Sequence, residues 1–156
     1  QLYEGVDIAG RGTLGLISYI RTDSVRLSDE AVAGVRDMIG ERYGAEFVPE
    51  KPVVYKGRKS AQDAHEAIRP SNVNLDPASI KKHLTPDQFK LYRLIWCRFV
   101  ASQMETASYD TLTVEVTTVS PSAEYIFKGR GETLKFDGFM TLYSATPDDE
   151  DKDGKE

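Results

Sequence analysis

The hydrophobic and polar positions change period along the chain. Residues 14–20 are a short run with aromatic and β-branched members, closed by Thr22-Asp23-Ser24, and predict a strand or short extended segment. Tyr19 and Arg21 would then share a face. Ser28 is placed to cap a helix with Asp29 and Glu30 in its first turn and Val32, Val35 and Ile39 on one stripe, with Gly44 ending it. Residues 48–55 are broken by Pro49 and Pro52 and read as extended, and residues 60–68 predict a short helix stopped by Pro70.

Two further helices start at Asp76-Pro77 and Thr85-Pro86, each a cap followed by proline at the first helical position, and Gln88 completes a capping box with Thr85. The second should be long, burying Phe89, Tyr92, Trp96, Phe99 and Val100 along one face. After about residue 108 the period becomes alternating, with Leu112, Val114 and Val116 apolar between Thr113, Glu115 and Thr117, which predicts a strand. Residues 125–128 and 133–136 flank Gly129-Arg130-Gly131 and predict a hairpin there, with a further turn at Asp137-Gly138. At the other end, residues 1–4 look like the last turn of a helix stopped by Gly5, which suggests truncation. The fold class expected is α+β, with a helical unit over 1–105, part of a β unit over 106–145 and an acidic linker or tail over 146–156.

Composition narrows the function classes. The chain has 156 residues, 40% of them hydrophobic and 29% charged, as in a globular protein with a core. No apolar stretch nears the roughly 20 residues of a membrane span, no secretory leader is legible, and the lone Cys97 sits in an apolar helical pattern. These features fit a soluble protein of a reducing compartment. The net charge of −5 would argue against a nucleic-acid partner, yet it is concentrated in the tail, while Lys56, Arg58 and Lys59 form a basic cluster elsewhere.

Several motifs imitate known sites and lack their context. Gly10-Arg11-Gly12-Thr13-Leu14-Gly15 has dinucleotide-fingerprint spacing without the strand before it and helix after it, and reads as a flexible surface loop. Asp149, Asp151, Asp153 and Gly154 start like a calcium loop that the sequence does not complete. Two histidines and one cysteine are too few for a convincing zinc site, and Cys97 reads as core. Residues 15–24 are different: within six positions they deliver a tyrosine, an arginine and small polar acceptors. The plain reading is a structural tyrosine beside a surface arginine. The chemical reading is a phenolic nucleophile, which needs cationic help because a phenol in water titrates near 10. Arg21 could grip a phosphate in two-pronged fashion and stabilise a pentacoordinate transition state.

Gly15-Leu16-Ile17-Ser18-Tyr19-Ile20-Arg21-Thr22-Asp23-Ser24 closely resembles the active-site signature of type IA DNA topoisomerases, and Ala61-Gln62-Asp63-Ala64-His65-Glu66-Ala67-Ile68-Arg69-Pro70 resembles their second signature. Leu91-Tyr92-Arg93-Leu94-Ile95-Trp96 with Phe99-Val100-Ala101, and then Phe136-Asp137-Gly138-Phe139, are similar to the bacterial topoisomerase I version. Ser18 and Ile20 stand where threonine and methionine are frequent, and neither change removes a group the reaction needs.

The resemblance implies a helical, catabolite-activator-like (winged-helix-like) domain carrying the active-site tyrosine, joined to part of a β domain that frames a DNA hole. It implies Tyr19 as the nucleophile, Arg21 as the residue positioning the scissile phosphate, His65 as a histidine handling DNA nearby, and Asp23 as an acid beside the tyrosine. Arg69, one helical turn beyond His65, could contact phosphate. The substrate implied is single-stranded or underwound DNA, in the cytoplasm with the nucleoid. Chemistry would be magnesium-dependent and ATP-independent, the magnesium ligands lying in a toprim domain that this chain does not encode, so that the piece alone would be inactive. Exposed orphan surfaces would favour self-association. A noncatalytic DNA-binding module and a protein-interaction domain are the competing classes.

Overall fold

The computed structural model describes residues 1–55, 65–120 and 123–144. Strands β1 (Val6–Ile8) and β2 (Gly12–Leu14) form a small hairpin, followed by helix α1 (Asp29–Arg42), a 3₁₀ turn at Ala45–Phe47, helix α2 (Pro77–Ile80) and helix α3 (Pro86–Ala101). Strands β3 (Ser108–Ser120) and β4 (Ala123–Phe136) then pair antiparallel, and α4 (Thr141–Ser144) ends the described chain. The architecture is mixed α and β with two separate two-stranded sheets.

The capping chemistry acts where its residues stand. Ser28 Oγ accepts from Ala31 N, Asp76 caps α2 ahead of Pro77, and Thr85 and Gln88 satisfy each other's backbone N–H at the start of α3. Val35, Met38 and Ile39 of α1 and Tyr92, Trp96, Cys97, Phe99 and Val100 of α3 bury their apolar stripes in one core with Leu2, Leu16, Ile17, Leu75, Ile80 and Met104. Each large side chain so enclosed contributes roughly 1.5–3 kcal/mol. Their polar ends are satisfied: Tyr92 Oη donates to the Leu75 carbonyl at 2.7 Å and Trp96 Nε1 to that of Val73 at 2.8 Å. Cys97 belongs to this core, where burial pushes its thiol pKa up. Residues 48–55 run as a connecting segment held by the fully buried Gln103, whose Oε1 accepts from Val53 N at 3.3 Å and whose Nε2 donates to Val53 O at 2.9 Å.

Four expectations are corrected. The Gly10 to Gly15 stretch is no flexible loop: it turns β1 into β2, with Gly10 and Gly12 at φ 78° and 76°, where a Cβ would be strained. Of the two readings of residues 14–20, a strand or a short extended segment, the strand does not form. Only Leu14 is in β2; beyond it Leu16 and Ile17 are both buried, breaking alternation, and a single bridge joins Ile17 to Pro70.

Residues 65–68, the described end of the expected 60–68 helix, are not helical, because Ala67 and the adjoining Arg69 give their backbone bonds to residues 26 and 18 instead and Pro70 disfavours helix at Arg69. His65 and Arg69 are therefore not one helical turn apart. Gly129-Arg130-Gly131 is no turn either; it lies inside β4, and the reversal falls between Ser120 and Ala123. The Asp137-Gly138 turn is present, with Gly138 at φ 47°. Lys56, Arg58 and Lys59, the first part of the second signature and the acidic tail lie outside the described residues.

Candidate functional site: a tyrosine in contact with two aromatic rings

The segment carrying Tyr19 is fixed by backbone bonds on both sides rather than by a sheet. Leu16 N donates to Leu2 O at 2.7 Å, Ser18 N to Arg69 O at 2.8 Å, and Ser71 N to Leu16 O at 3.0 Å. The Ser18 hydroxyl adds two more, donating to Ala67 O and accepting from Arg69 N, each at 2.9 Å. Leu16 and Ile17 sink into the core next to these bonds, so Tyr19 emerges from an anchored stem.

Tyr19 as a residue remains 53% exposed, which leaves it reachable by a large substrate. Tyr3 packs edge-on against it with centroids 5.4 Å apart, and His65 lies on its other neighbour contact at 6.0 Å, tilted by 32°. Arg21 follows on the exposed side, its Nε donating to Asp23 Oδ2 at 2.7 Å. One carboxylate thus orients the guanidinium through Nε, the arrangement that leaves its terminal nitrogens for a bidentate acceptor.

Arg69 is differently employed. Its Nε and Nη2 both reach Glu66 Oε2 at 2.8 Å and Nη1 donates to Pro70 O at 3.0 Å. Burial works to raise the Glu66 carboxyl, but the hydrogen bonds from Ser28 and Arg69 and the charges of Arg69 and Arg26 outweigh it and hold Glu66 below the usual carboxylate range. The pair braces the strip on which His65 stands. His65 Nδ1 is enclosed and has no hydrogen-bond partner among the described residues.

The structure thus brings Tyr19 and His65 into contact, pairs Arg21 with Asp23, and turns Arg69 into the bracing cluster. Sequence reasoning missed Tyr3; its trace in the sequence is Gly15, where a Cβ would lie 2.7 Å from the Tyr3 carbonyl oxygen. An apolar groove of about 740 Å³, lined by residues including Leu27, Ile68, Leu94, Phe99 and Phe139, contains none of Tyr19, Arg21, Asp23, His65 or Arg69. Among the described residues no three of His, Cys, Asp or Glu converge to hold a metal, and Asp23 is committed to Arg21, so these residues do not by themselves fit a magnesium ion. No helix among them is long and apolar enough to cross a membrane.

An accessible phenol with a carboxylate-oriented guanidinium two positions on is suited to phosphoryl transfer, and the whole sequence agrees with such a class: the chain belongs to the DNA topoisomerase family, whose model it matches over residues 1–156. Within that family it is 47% identical to DNA topoisomerase 1 of Rickettsia felis over 151 residues, covering 96% of this chain and 19% of the relative. It is 46% identical to DNA topoisomerase 1 of Rickettsia prowazekii over 154 residues, covering 98% and 20%. Full-length topoisomerase I from Thermotoga maritima superposes with a TM-score of 0.71 at 37% identity, over 100% of this chain and 24% of that one. The chain spans about a fifth of the length of the curated relatives it matches.

Proposed function

We propose that this chain is the tyrosine-bearing portion of a type IA DNA topoisomerase that relaxes negatively supercoiled DNA. Tyr19 Oη gives up its proton and attacks a backbone phosphorus, an O–P bond forms, the bond from phosphorus to the 3′ oxygen breaks, and that oxygen takes up a proton in exchange and leaves as a 3′ hydroxyl. The 5′ phosphate stays esterified to Tyr19 while the intact strand passes. Reversal, with the 3′ hydroxyl attacking and the phenol leaving, reseals the break. The ester conserves the energy of the broken bond, so ATP is not consumed.

Arg21 binds the scissile phosphate and stabilises its transition-state charge, a role for which one well-placed donor contributes on the order of 3 kcal/mol. Asp23 aims Arg21. His65, stacked near the phenol, handles the DNA beside it, and Arg69 supports DNA binding through the strip it braces with Glu66. Magnesium would be held by the acidic groups of a toprim domain elsewhere in the same polypeptide. Without that domain the piece is expected to be inactive and, through uncovered apolar area, prone to self-association. Residues 1–105 then form the catabolite-activator-like, winged-helix-like domain, residues 106–145 part of the β-rich unit framing the DNA hole, and residues 146–156 an acidic linker. The enzyme works in the cytoplasm on nucleoid DNA that is underwound or single-stranded.

The observation carrying this reading is the half-exposed Tyr19, whose ring contacts those of Tyr3 and His65, on an anchored stem. Trapping the complete enzyme on a single-stranded oligonucleotide and mapping the adduct by mass spectrometry tests it. The nucleotide should be found on Tyr19, and Tyr19→Phe should abolish the adduct; an adduct on another residue overturns the assignment.

A further inference from the structure

Glu66 stands next to His65 in the chain, and its partner Arg69 is bonded to Ser18, the neighbour of Tyr19. Its carboxylate is thus linked to both members of the ring contact through adjoining residues. Glu66 Oε2 accepts from Arg69 Nε and Nη2, each at 2.8 Å. Arg69 in turn closes a pair of bonds with Ser18: Ser18 N donates to Arg69 O at 2.8 Å, and Arg69 N donates to Ser18 Oγ at 2.9 Å. On another side Glu66 is hydrogen-bonded to Ser28, the residue that caps α1, and the neighbouring Ala67 N donates to Arg26 O at 2.8 Å. One carboxylate therefore joins three pieces of chain distant in sequence: the Tyr19 stem, the His65 strip and the entry to α1.

The junction is built to fix orientation. Its side chains are shielded, Arg69 at 19% and Glu66 at 23% exposure against 45% and 35% for Arg21 and Asp23, so its charge-assisted bonds meet little competition from water. Arg69 is held at all three guanidinium nitrogens, because Nη1 also donates to Pro70 O at 3.0 Å. A planar group so gripped has one orientation, and the Arg69 backbone that bonds Ser18 is held with it. His65 needs such support: its Nδ1 has no hydrogen-bond partner among the described residues, so no bond at that atom orients the imidazole and its placement falls to the strip. We propose that Glu66 is a positioning residue for DNA cleavage, which acts through Arg69 and Ser28 to hold the Tyr19 stem and the His65 strip at the separation the reaction uses. The depressed Glu66 pKa keeps the carboxylate charged for this task at neutral pH.

The inference rests on the proposed assignment of Tyr19 as nucleophile. It is tested in the full-length enzyme by single-turnover cleavage of a labelled single-stranded oligonucleotide at saturating concentration. A misplacement of 1 Å costs about 10²-fold in rate, and Glu66→Gln, which keeps shape and an acceptor oxygen but loses the charge, should slow the cleavage rate constant about tenfold. The oligonucleotide Kd should change by less than about threefold, with the magnesium requirement unchanged. The rate constant separates positioning from stability, since unfolded enzyme lowers the amplitude and leaves the rate of the folded fraction alone. Because Glu66 acts through Arg69, the double variant Glu66→Gln with Arg69→Gln should be no slower than the slower single variant. Glu132→Gln, which breaks an exposed ion pair on the β3–β4 hairpin, should cleave at the wild-type rate. A lowered amplitude with an unchanged rate constant, a loss confined to Kd, a raised magnesium requirement, or multiplicative losses in the double variant would each overturn the inference. If Glu66→Gln does not fold, Ser28→Ala replaces it and should slow the rate constant about threefold, a smaller loss because a neutral bond is removed; an unchanged rate constant would again overturn it. Mass spectrometry of the wild-type adduct reports separately on the nucleophile: an adduct on Tyr19 with unaltered rates in the variants sinks this inference alone, and an adduct elsewhere removes both.

Discussion

Replacing Gln103 by methionine isolates what holds the segment at residues 48–55 to the core. Gln103 is fully buried and makes two hydrogen bonds to one residue, accepting from Val53 N at 3.3 Å and donating to Val53 O at 2.9 Å. Methionine fills nearly the same volume, so the packing change alone costs under about 1.5 kcal/mol. Loss of two net hydrogen bonds removes about 2 kcal/mol, and the half-buried Val53 groups recover only part of their hydration. The expected destabilisation is about 2–4 kcal/mol, a large share of the roughly 5–15 kcal/mol of an ordinary domain. For a chain of this size that lowers Tm by about 5–15 °C.

Urea titration of the purified chain gives the free energy, and hydrogen exchange of the Val53 amide, expected to accelerate, localises it. A loss below about 0.5 kcal/mol would refute the reasoning. Gln103→Glu adds a sign test: a carboxylate facing the Val53 carbonyl in a buried site has its folded pKa raised above the unfolded value near 4.3. Stability relative to wild type should then be best below about pH 4 and fall as pH rises through the raised folded pKa. A pH-independent deficit would mean that the side chain had left the site.

Three further outcomes follow from single observations. Gly138→Ala puts a Cβ 2.5 Å from Glu105 O and 2.7 Å from Thr106 C at φ +47°, and should cost about 2–4 kcal/mol, read as a lowered urea midpoint with unchanged slope. Glu66, whose pKa is held low, contributes stability that is present above its unfolded pKa and lost as pH falls through the depressed folded value. Glu66→Gln should therefore flatten part of the acid limb of the stability profile, and an unchanged limb would show the brace to be inert. Tyr3→Leu in the complete enzyme removes the edge contact at 5.4 Å and should slow single-turnover DNA cleavage while leaving oligonucleotide affinity within about twofold; equal cleavage rates would detach Tyr3 from the site.

What could be read in advance was what is local. Thr85, Pro86 and Gln88 define the start of α3 by bonds that span three residues, and Ser28 does the same for α1. The alternation at 112–117 likewise announces β3 because each side chain chooses a face by parity. Gly129 and Gly131 misled because glycine marks a turn or a place of close approach equally well, and only the partner strand decides between them. The β1–β2 hairpin escaped because three-residue strands are too short to show a period. The 60–68 helix failed, where described, through partners more than forty positions away: Ala67 and Arg69 spend their backbone groups on Arg26 and Ser18. Of the site, Tyr19 and Arg21 stood out by residue type and signature, whereas Tyr3 and the Glu66–Arg69 brace become visible only when the chain is folded.

These failures share a physical origin with the site itself. On the proposed reading, a nucleophile that must meet a DNA strand has to stay exposed, so it cannot sit in the alternating half-buried pattern that makes a strand legible. Its precision has to come from elsewhere, and here it comes from the stem: Leu16 and Ile17 in the core, and five hydrogen bonds from residues 16 and 18 to Leu2, Ala67, Arg69 and Ser71. Because the 65–71 strip makes four of those bonds, the positions of Tyr19 and His65 are coupled through backbone rather than through their ring contact. Conservative changes to either ring should therefore leave the other in place, while a proline at residue 69, which removes the N–H donated to Ser18 Oγ, should displace both.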